Sequence, residues 1–350
     1  MKTNTNITQT NNTTKTNKNH DNKAITRIKN WSNYNAGMVD RGHFYKLAKL
    51  AVSEIKKEMS SRAWKQHKTA GRPKTYPDAL IIIIAVFREI FGMSFREAEG
   101  FAEDVFKEFG INVPDYSTIE RRMGNLHIDL HIDKRRLKGN IRISLDGTGF
   151  KTTGEGEWKT HKHGRDKRRI FVKVHYATDF SGEQILGVRV TASNIGDNIE
   201  APNLLKEVKQ NIGNKMDNVT IVLGDSAYNT KYLKKLIEEE YHARLLAPPR
   251  IKPHKTEFEK NLIKRTSKQI YIGANEEDNR RCNQVGRANW KNETGYHERS
   301  LVETNMFRIK SPFGDKLSCR TIKNQIAQIN IRAMLLNMWT NKWMPKYTKP

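Results

Sequence analysis

The sequence predicts an α/β fold: a mixed sheet made of a three-strand antiparallel meander plus parallel strands with helices, preceded by an all-α, helix-turn-helix-like region. Three observations lead there. Helical periodicity with recognisable caps fills residues 43–123, strand-like alternation starts only near Asn140, and the later strands alternate with helices.

The opening residues are mostly Asn, Thr and Lys with almost nothing apolar. They cannot offset the entropy of ordering, so residues 1–40 are expected to form a disordered basic tail. From residue 43 to about 65, Phe44, Leu47, Leu50, Ala51 and Ile55 recur at helical spacing. A breaker segment follows at 67–77; within it Gly71-Arg72-Pro73 reads either as a plain linker or as the core of a minor-groove hook. Pro77 leads into a helix over 78–91. Ser94 with Glu97 makes a capping box for 94–109, and Gly110 suits its C-terminal cap. Ser117 and Glu120 predict a second capping box, opening a short helix with Arg121 and Arg122 on its exposed side. Helix, turn, basic helix is a DNA-reading arrangement. Spacing alone supports a dimerisation bundle equally well. Residues 41–135 are read as the helical DNA-binding domain.

Beyond Asn140, Ile141, Ile143 and Leu145 alternate, as do Ile170, Val172, Val174 and Tyr176, and then residues 185–190; Gly182 supplies a turn. A helix over 200–210 precedes the continuous apolar run 219–223, the mark of a strand covered on both faces. Asp225 stands just past its end. A helix over 230–240, a short strand at 243–247, a basic stretch at about 250–292 and a helix carrying Glu303 complete a domain of residues 136–345. A carboxylate on the first strand, another after the fourth and a third on a late helix is the ribonuclease H-like order.

Lys and Arg outnumber Asp and Glu by 63 to 38, giving a formal charge of +25 and a pI near 9.9. The charge is spread along the chain instead of concentrated on one amphipathic helix, which favours nucleic acid over a membrane surface as partner. The longest apolar run, 79–87, is about half of a bilayer span. The expected location is the cytoplasm, with the nucleoid. Cys282 and Cys319 are too few for a disulfide framework or a four-cysteine zinc site.

Asp146 shares a strand face with Ser144 and Arg142, opposite the alternating apolar residues. In an open α/β sheet ligands bind outside the strand carboxyl ends, where Asp225 also lies. In the stretch from Tyr296 to Lys310, Tyr296, Arg299, Glu303 and Lys310 fall within roughly 60° of one another on a helical wheel, one polar stripe. As an i, i+4 pair, Arg299 and Glu303 would also suit a plain surface helix.

These residues together resemble the DDE transposases of the insertion-sequence-five family. The matching motifs are Asp146-Gly147-Thr148-Gly149, the segment from Gly154 to Trp158, Gly224-Asp225-Ser226-Ala227-Tyr228, and the Tyr-Arg-Glu-Lys signature at 296, 299, 303 and 310. Residues 113–118, Pro248-Pro249-Arg250 and Gly314-Asp315-Lys316-Leu317 resemble further landmarks, and the likeness spans about 70–345. Asn229 departs from the family, which usually has Asp there. The resemblance implies an Asp146, Asp225 and Glu303 triad holding Mg²⁺ or Mn²⁺, two ions in the working site. It implies cleavage at the terminal inverted repeats of a mobile element and joining of the 3′-hydroxyl ends to target DNA. Tyr296, Arg299 and Lys310 would hold DNA phosphates or end nucleotides beside Glu303. Pairing two double-stranded ends implies a homodimer.

His161 and His163 sit among lysines and arginines that would repel a cation, which favours a backbone contact or solvated hairpin over metal ligation. Asp179 and Asp197 could each be a fourth carboxylate of the site, but turn and helix-cap roles are favoured. Trp158 and Trp290 read as core before base-stacking platforms. The competing functions are a ribonuclease H-like nuclease without strand transfer and a sequence-specific DNA-binding protein from an inactive or domesticated element.

Overall fold

The computed structural model describes residues 30–65, 75–152, 171–180, 184–252 and 270–342. The Gly71-Arg72-Pro73 segment, the stretch from Gly154 to Trp158, His161, His163 and Gly182 lie outside them. Helix α1, Trp31–Arg41, begins inside the stretch expected to be tail. Helices α2 (Phe44–Ser60) and α3 (Arg62–Lys65) follow.

Helix α4, Asp78–Phe91, is apolar almost all round, and such a helix must be enclosed by others. Leu80, Ile81, Ile84, Ala85 and Phe87 are buried on it, and Gly92, at φ +67°, ends it in the left-handed region. Helix α5, Phe95–Lys107, opens with the expected capping box: Ser94 Oγ accepts from the Glu97 amide and Glu97 accepts from the Ser94 amide at 2.6 Å. Helix α6, Tyr116–Met123, differs from expectation. Its N-cap is Asp115, whose carboxylate accepts from the Ser117 and Thr118 amides at 3.0 and 3.1 Å. Those bonds, with the Ser117 side chain foremost, hold the Asp115 carboxyl down to about 2. Arg121 is exposed as expected. Arg122 is not: its guanidinium turns inward and donates to the Tyr76 carbonyl and the Asp78 carboxylate at the start of α4. Consecutive helical residues point about 100° apart, so two adjacent arginines cannot share one face.

The sheet has the order β3-β2-β1-β4-β5, with β1 (Ile141–Lys151), β2 (Phe171–Asp179), β3 (Ile185–Ala192), β4 (Val219–Leu223) and β5 (Arg244–Leu246). β1–β2 and β2–β3 pair antiparallel; β1–β4 and β4–β5 pair parallel. That combination is the ribonuclease H-like arrangement. Helices α7 (Asp197–Ile212) and α8 (Lys231–Tyr241) cover one face, where Ile141, Ile143 and Leu145 meet Ala201, Leu204 and Leu205. Asp179 serves the β2–β3 turn, accepting from the Gln184 amide at 2.8 Å.

A two-strand ribbon, β6 (Arg250–Ile251) and β7 (Tyr271–Ile272), leads to α9 (Glu276–Val285) and α10 (Arg287–Thr294) within the basic stretch. Trp290 is fully buried there and its indole N–H donates to Asp278 at 3.0 Å, so it is core. Gly295, at φ +68°, ends α10, and Tyr296–Arg299 form a tight 3-10 turn before α11, Ser300–Phe313. The single straight helix expected from 296 to 310 is therefore split in two. Pro312 stands inside the last turn of α11, and Gly314, at φ +72°, ends it. The final helix, α12 (Ile322–Lys342), joins two cores: Ala327, Ile331 and Leu335 pack with α4–α6, while Ile329, Ala333 and Leu336 pack with Phe150 and Val174 of the sheet. No helix among the described residues is long and apolar enough to cross a membrane.

Candidate active site

Parallel pairing of β1 with β4 sets Ser144 opposite Leu223. Two residues further along each chain stand Asp146, still on β1, and Asp225, just past the end of β4, so the shared direction carries both carboxylates to the same end of the sheet. Asp225 caps the 3-10 turn Ser226–Tyr228 by accepting from the Ala227 amide at 2.7 Å. Asp146 accepts from the Gly147 amide at 3.0 Å and pairs with Arg299 at 3.1 Å. Burial pushes the Asp146 carboxyl above its ordinary range; Arg299 and the Gly147 amide oppose that, while the charges of Asp225 and Asp197 reinforce it. A buried carboxylate among like charges has a high affinity for a cation, and Arg299 meets part of that demand.

Each residue of the 296–310 signature has a definite place. Tyr296 is buried and its hydroxyl donates to the Gly224 carbonyl at 3.0 Å, directly before Asp225. Burial first, then the nearby carboxylates, push its phenol up to about 12 despite Arg299, so the donor is permanent. Lys310 Nζ donates to Thr148 Oγ1 at 2.6 Å and lies 5.3 Å over the Phe150 ring. Thr148 is two residues beyond Asp146 on β1, hence on the same face. Glu303 falls within α11, and its side chain lies outside the described residues. Arg121 belongs to α6 in the helical layer, and Arg122 is committed to Asp78 there.

The turn carrying Asp225 is tied down by Arg250 and Asn229, which the family resemblance marked without giving either a role. Arg250 spans two of its carbonyls, donating to Ser226 at 2.7 Å and Ala227 at 3.2 Å. Asn229 donates to the Ala247 carbonyl at 2.9 Å and accepts from the Ala274 amide at 2.5 Å. A carboxylate accepts but does not donate, so the departure to Asn at this position uses both halves of the amide. His175 was unmarked: it is buried, and bonds Asp197 at 2.9 Å and Thr191 at 2.8 Å. Its one sequence signal is polarity at a strand position shared with Lys173, two residues earlier.

Residues 139–338 match the family model described as a transposase DDE domain, and residues 51–155 match a second model of the same description. The chain belongs to the transposase DDE-domain family. An uncharacterized protein of Aquifex aeolicus is 24% identical to this DDE-domain chain over 176 residues, 46% of the chain and 54% of that protein. The chain thus spans about half the length of the curated relative it matches. Among solved structures, a piggyBac transposase synaptic complex with hairpin DNA aligns over 82% of this chain and 72% of its own, with 12% identity and a TM-score of 0.37. A Mos1 strand transfer complex aligns over 69% and 81%, with 10% identity and a TM-score of 0.23.

DDE-domain proteins use divalent metal ions, and the donor chemistry here fits one. Asp146 and Asp225 offer only carboxylate oxygens, the ligands of hard cations such as Mg²⁺ or Mn²⁺. His175, the nearby nitrogen donor, has both ring nitrogens engaged. Among the described residues no three His, Cys, Asp or Glu side chains form a complete metal cage.

Proposed function

We propose that this chain is a transposase of the insertion-sequence-five type. It binds the terminal inverted repeats of a mobile element as a homodimer, cleaves double-stranded DNA at the element ends and joins the 3′-hydroxyl ends to target DNA. The observation that carries this reading is the parallel β1–β4 register, which brings Asp146 and Asp225 to one sheet end beside Arg299 and Lys310. Asp146, Asp225 and Glu303 would hold two Mg²⁺ or Mn²⁺ ions. Bound there, the ions supply Lewis-acid stabilisation and an activated oxygen nucleophile for in-line displacement at phosphorus.

The chain's own side chains contribute position and charge. Arg299 orients Asp146 and, with its planar fork, suits a phosphate once DNA enters. Lys310 is a point charge held at the strand by Thr148. Tyr296 fixes the peptide before Asp225. Arg121, exposed on α6, would contact the DNA backbone.

The test is Mg²⁺-dependent cleavage and joining of labelled duplexes carrying the element's own ends. Wild type is expected to cut and join. D146A, D225A and E303A are expected to bind the ends and lose at least about 1,000-fold in cleavage rate. Binding without cutting by the wild type would leave a DNA-binding protein, cutting without joining would leave a nuclease, and active variants would overturn the triad.

A further inference from the structure

Asp197 is a carboxylate close enough to act on the charge of Asp146 that the reading above leaves unused. It is the first residue of α7, and both of its oxygens are held: Lys173 donates to Oδ2 at 2.7 Å, and His175 Nδ1 meets Oδ1 at 2.9 Å. Lys173 also reaches the Ile195 carbonyl at 3.3 Å, and His175 is anchored from behind by Thr191. The carboxylate is therefore fixed from two strand residues that lie on one face of β2.

His175 stands directly opposite Gly147 in the β1–β2 register. A β-carbon built on Gly147 would run into Asp197 Oδ1 and lie 3.2 Å from Lys173 Cε. Gly147 is not in the left-handed region, so its backbone would accept any residue. What requires glycine is space, because Asp197 occupies the volume where a side chain would start. The Gly147 N–H in turn donates to Asp146 Oδ1 at 3.0 Å.

We propose that Asp197 is a positioning residue: clamped by Lys173 and His175, it lies against the Gly147 α-carbon and fixes the peptide that orients the Asp146 carboxylate. The effect on the cation site rests on the reading of Asp146 as a cation-holding residue; the contact itself does not. An acceptor-only side chain suits the place, since both of its partners are donors. An amide would turn an N–H toward one of them.

Two experiments on the full chain test the brace. The first is a thermal-unfolding cycle with G147A and D197A. G147A is expected to lower the unfolding midpoint by about 3 °C in the wild type and by less than about 1 °C in the D197A background, because the obstructing oxygen is gone. Equal losses in the two backgrounds would overturn the contact. The second is calorimetric titration with Mn²⁺, in which D197N is expected to bind about tenfold more weakly than wild type while its far-ultraviolet spectrum and end-duplex affinity stay unchanged. An unchanged Mn²⁺ affinity in D197N would overturn the positioning role. Neither readout depends on cleavage, so an inactive wild type would sink the transposase reading and leave the brace to be judged on its own.

Discussion

The helical layer and the carboxyl end of the sheet both bury charge, and they do so to opposite ends. Under α4, Glu89 receives Arg88 at 2.6 Å, Arg332 at 3.0 Å and Gln328 at 3.0 Å. Arg332 also donates to the carbonyls of Gly314 and Lys316, and Arg88 to Ser318 at 2.6 Å while its guanidinium lies over Phe95. At the sheet end, Asp146 is held above its ordinary range by burial and by two further carboxylates, and the buried Tyr228 and Ser144 hydroxyls have no partner among the described residues. The first network pairs its carboxylate with both guanidinium groups, though Arg88 Nε has no partner among the described residues, and it locks α4, α12 and the loop after α11 together. The second leaves charge in need of a ligand. That contrast sets the structural network apart from the site proposed for chemistry more sharply than burial alone does.

Breaking the first network should produce the largest stability loss. E89A leaves two guanidinium groups desolvated without their carboxylate, an effect of about 3–5 kcal/mol by urea unfolding. A loss below about 1 kcal/mol would mean that the arginines re-pair with solvent, and the two regions would no longer differ in kind.

The converse substitution at the sheet end should change stability in the opposite direction. Asp146 has a folded pKa raised above its unfolded value, so the native state holds the proton better than the unfolded chain does. The stability associated with the protonated form is full below the ordinary carboxylate range and is lost as pH rises through the raised folded value. D146N removes that loss. The variant should be more stable than wild type at neutral pH, and the gain should shrink toward zero as pH falls below about 4, the unfolded carboxyl value. Thermal unfolding from pH 4 to 8 checks it. A destabilised D146N at neutral pH would show that Arg299 outweighs the burial.

The helix ends were legible because capping is local: Ser94 with Glu97, Pro77 and Gly110 act within a turn of themselves. The alignment of Asp146 with Asp225 was legible because strand alternation and the apolar run 219–223 together imply adjacent parallel strands. Arg122 was not, since its partner Asp78 lies 44 residues earlier on another helix. The capping box expected at Ser117 lost to Asp115, whose shorter reach to two amides satisfies the same orphan donors. Asp197 read as a cap because the pattern near it is that of a helix start. Its place against Gly147 depends on three strands pairing in one register, which no local window contains.

Tyr296 gives the smallest effect and separates two readings of the same residue. Sequence spacing put it on a polar stripe, and the family resemblance implied that the stripe holds DNA; the fold seats it under the Asp225 turn, with its ring 5.7 Å from Trp290 and its hydroxyl on the Gly224 carbonyl. Y296F keeps the ring and deletes one buried hydrogen bond, at a cost of about 1 kcal/mol. Because the carbonyl left unpaired belongs to the peptide before Asp225, cleavage should slow while affinity for the end duplex stays at the wild-type value. Urea unfolding and a filter-binding titration of the same variant decide between the two. Weaker duplex binding at unchanged stability would return Tyr296 to the DNA-facing surface, whereas the reverse would make it part of the frame that carries Asp225, alongside Arg250 and Asn229.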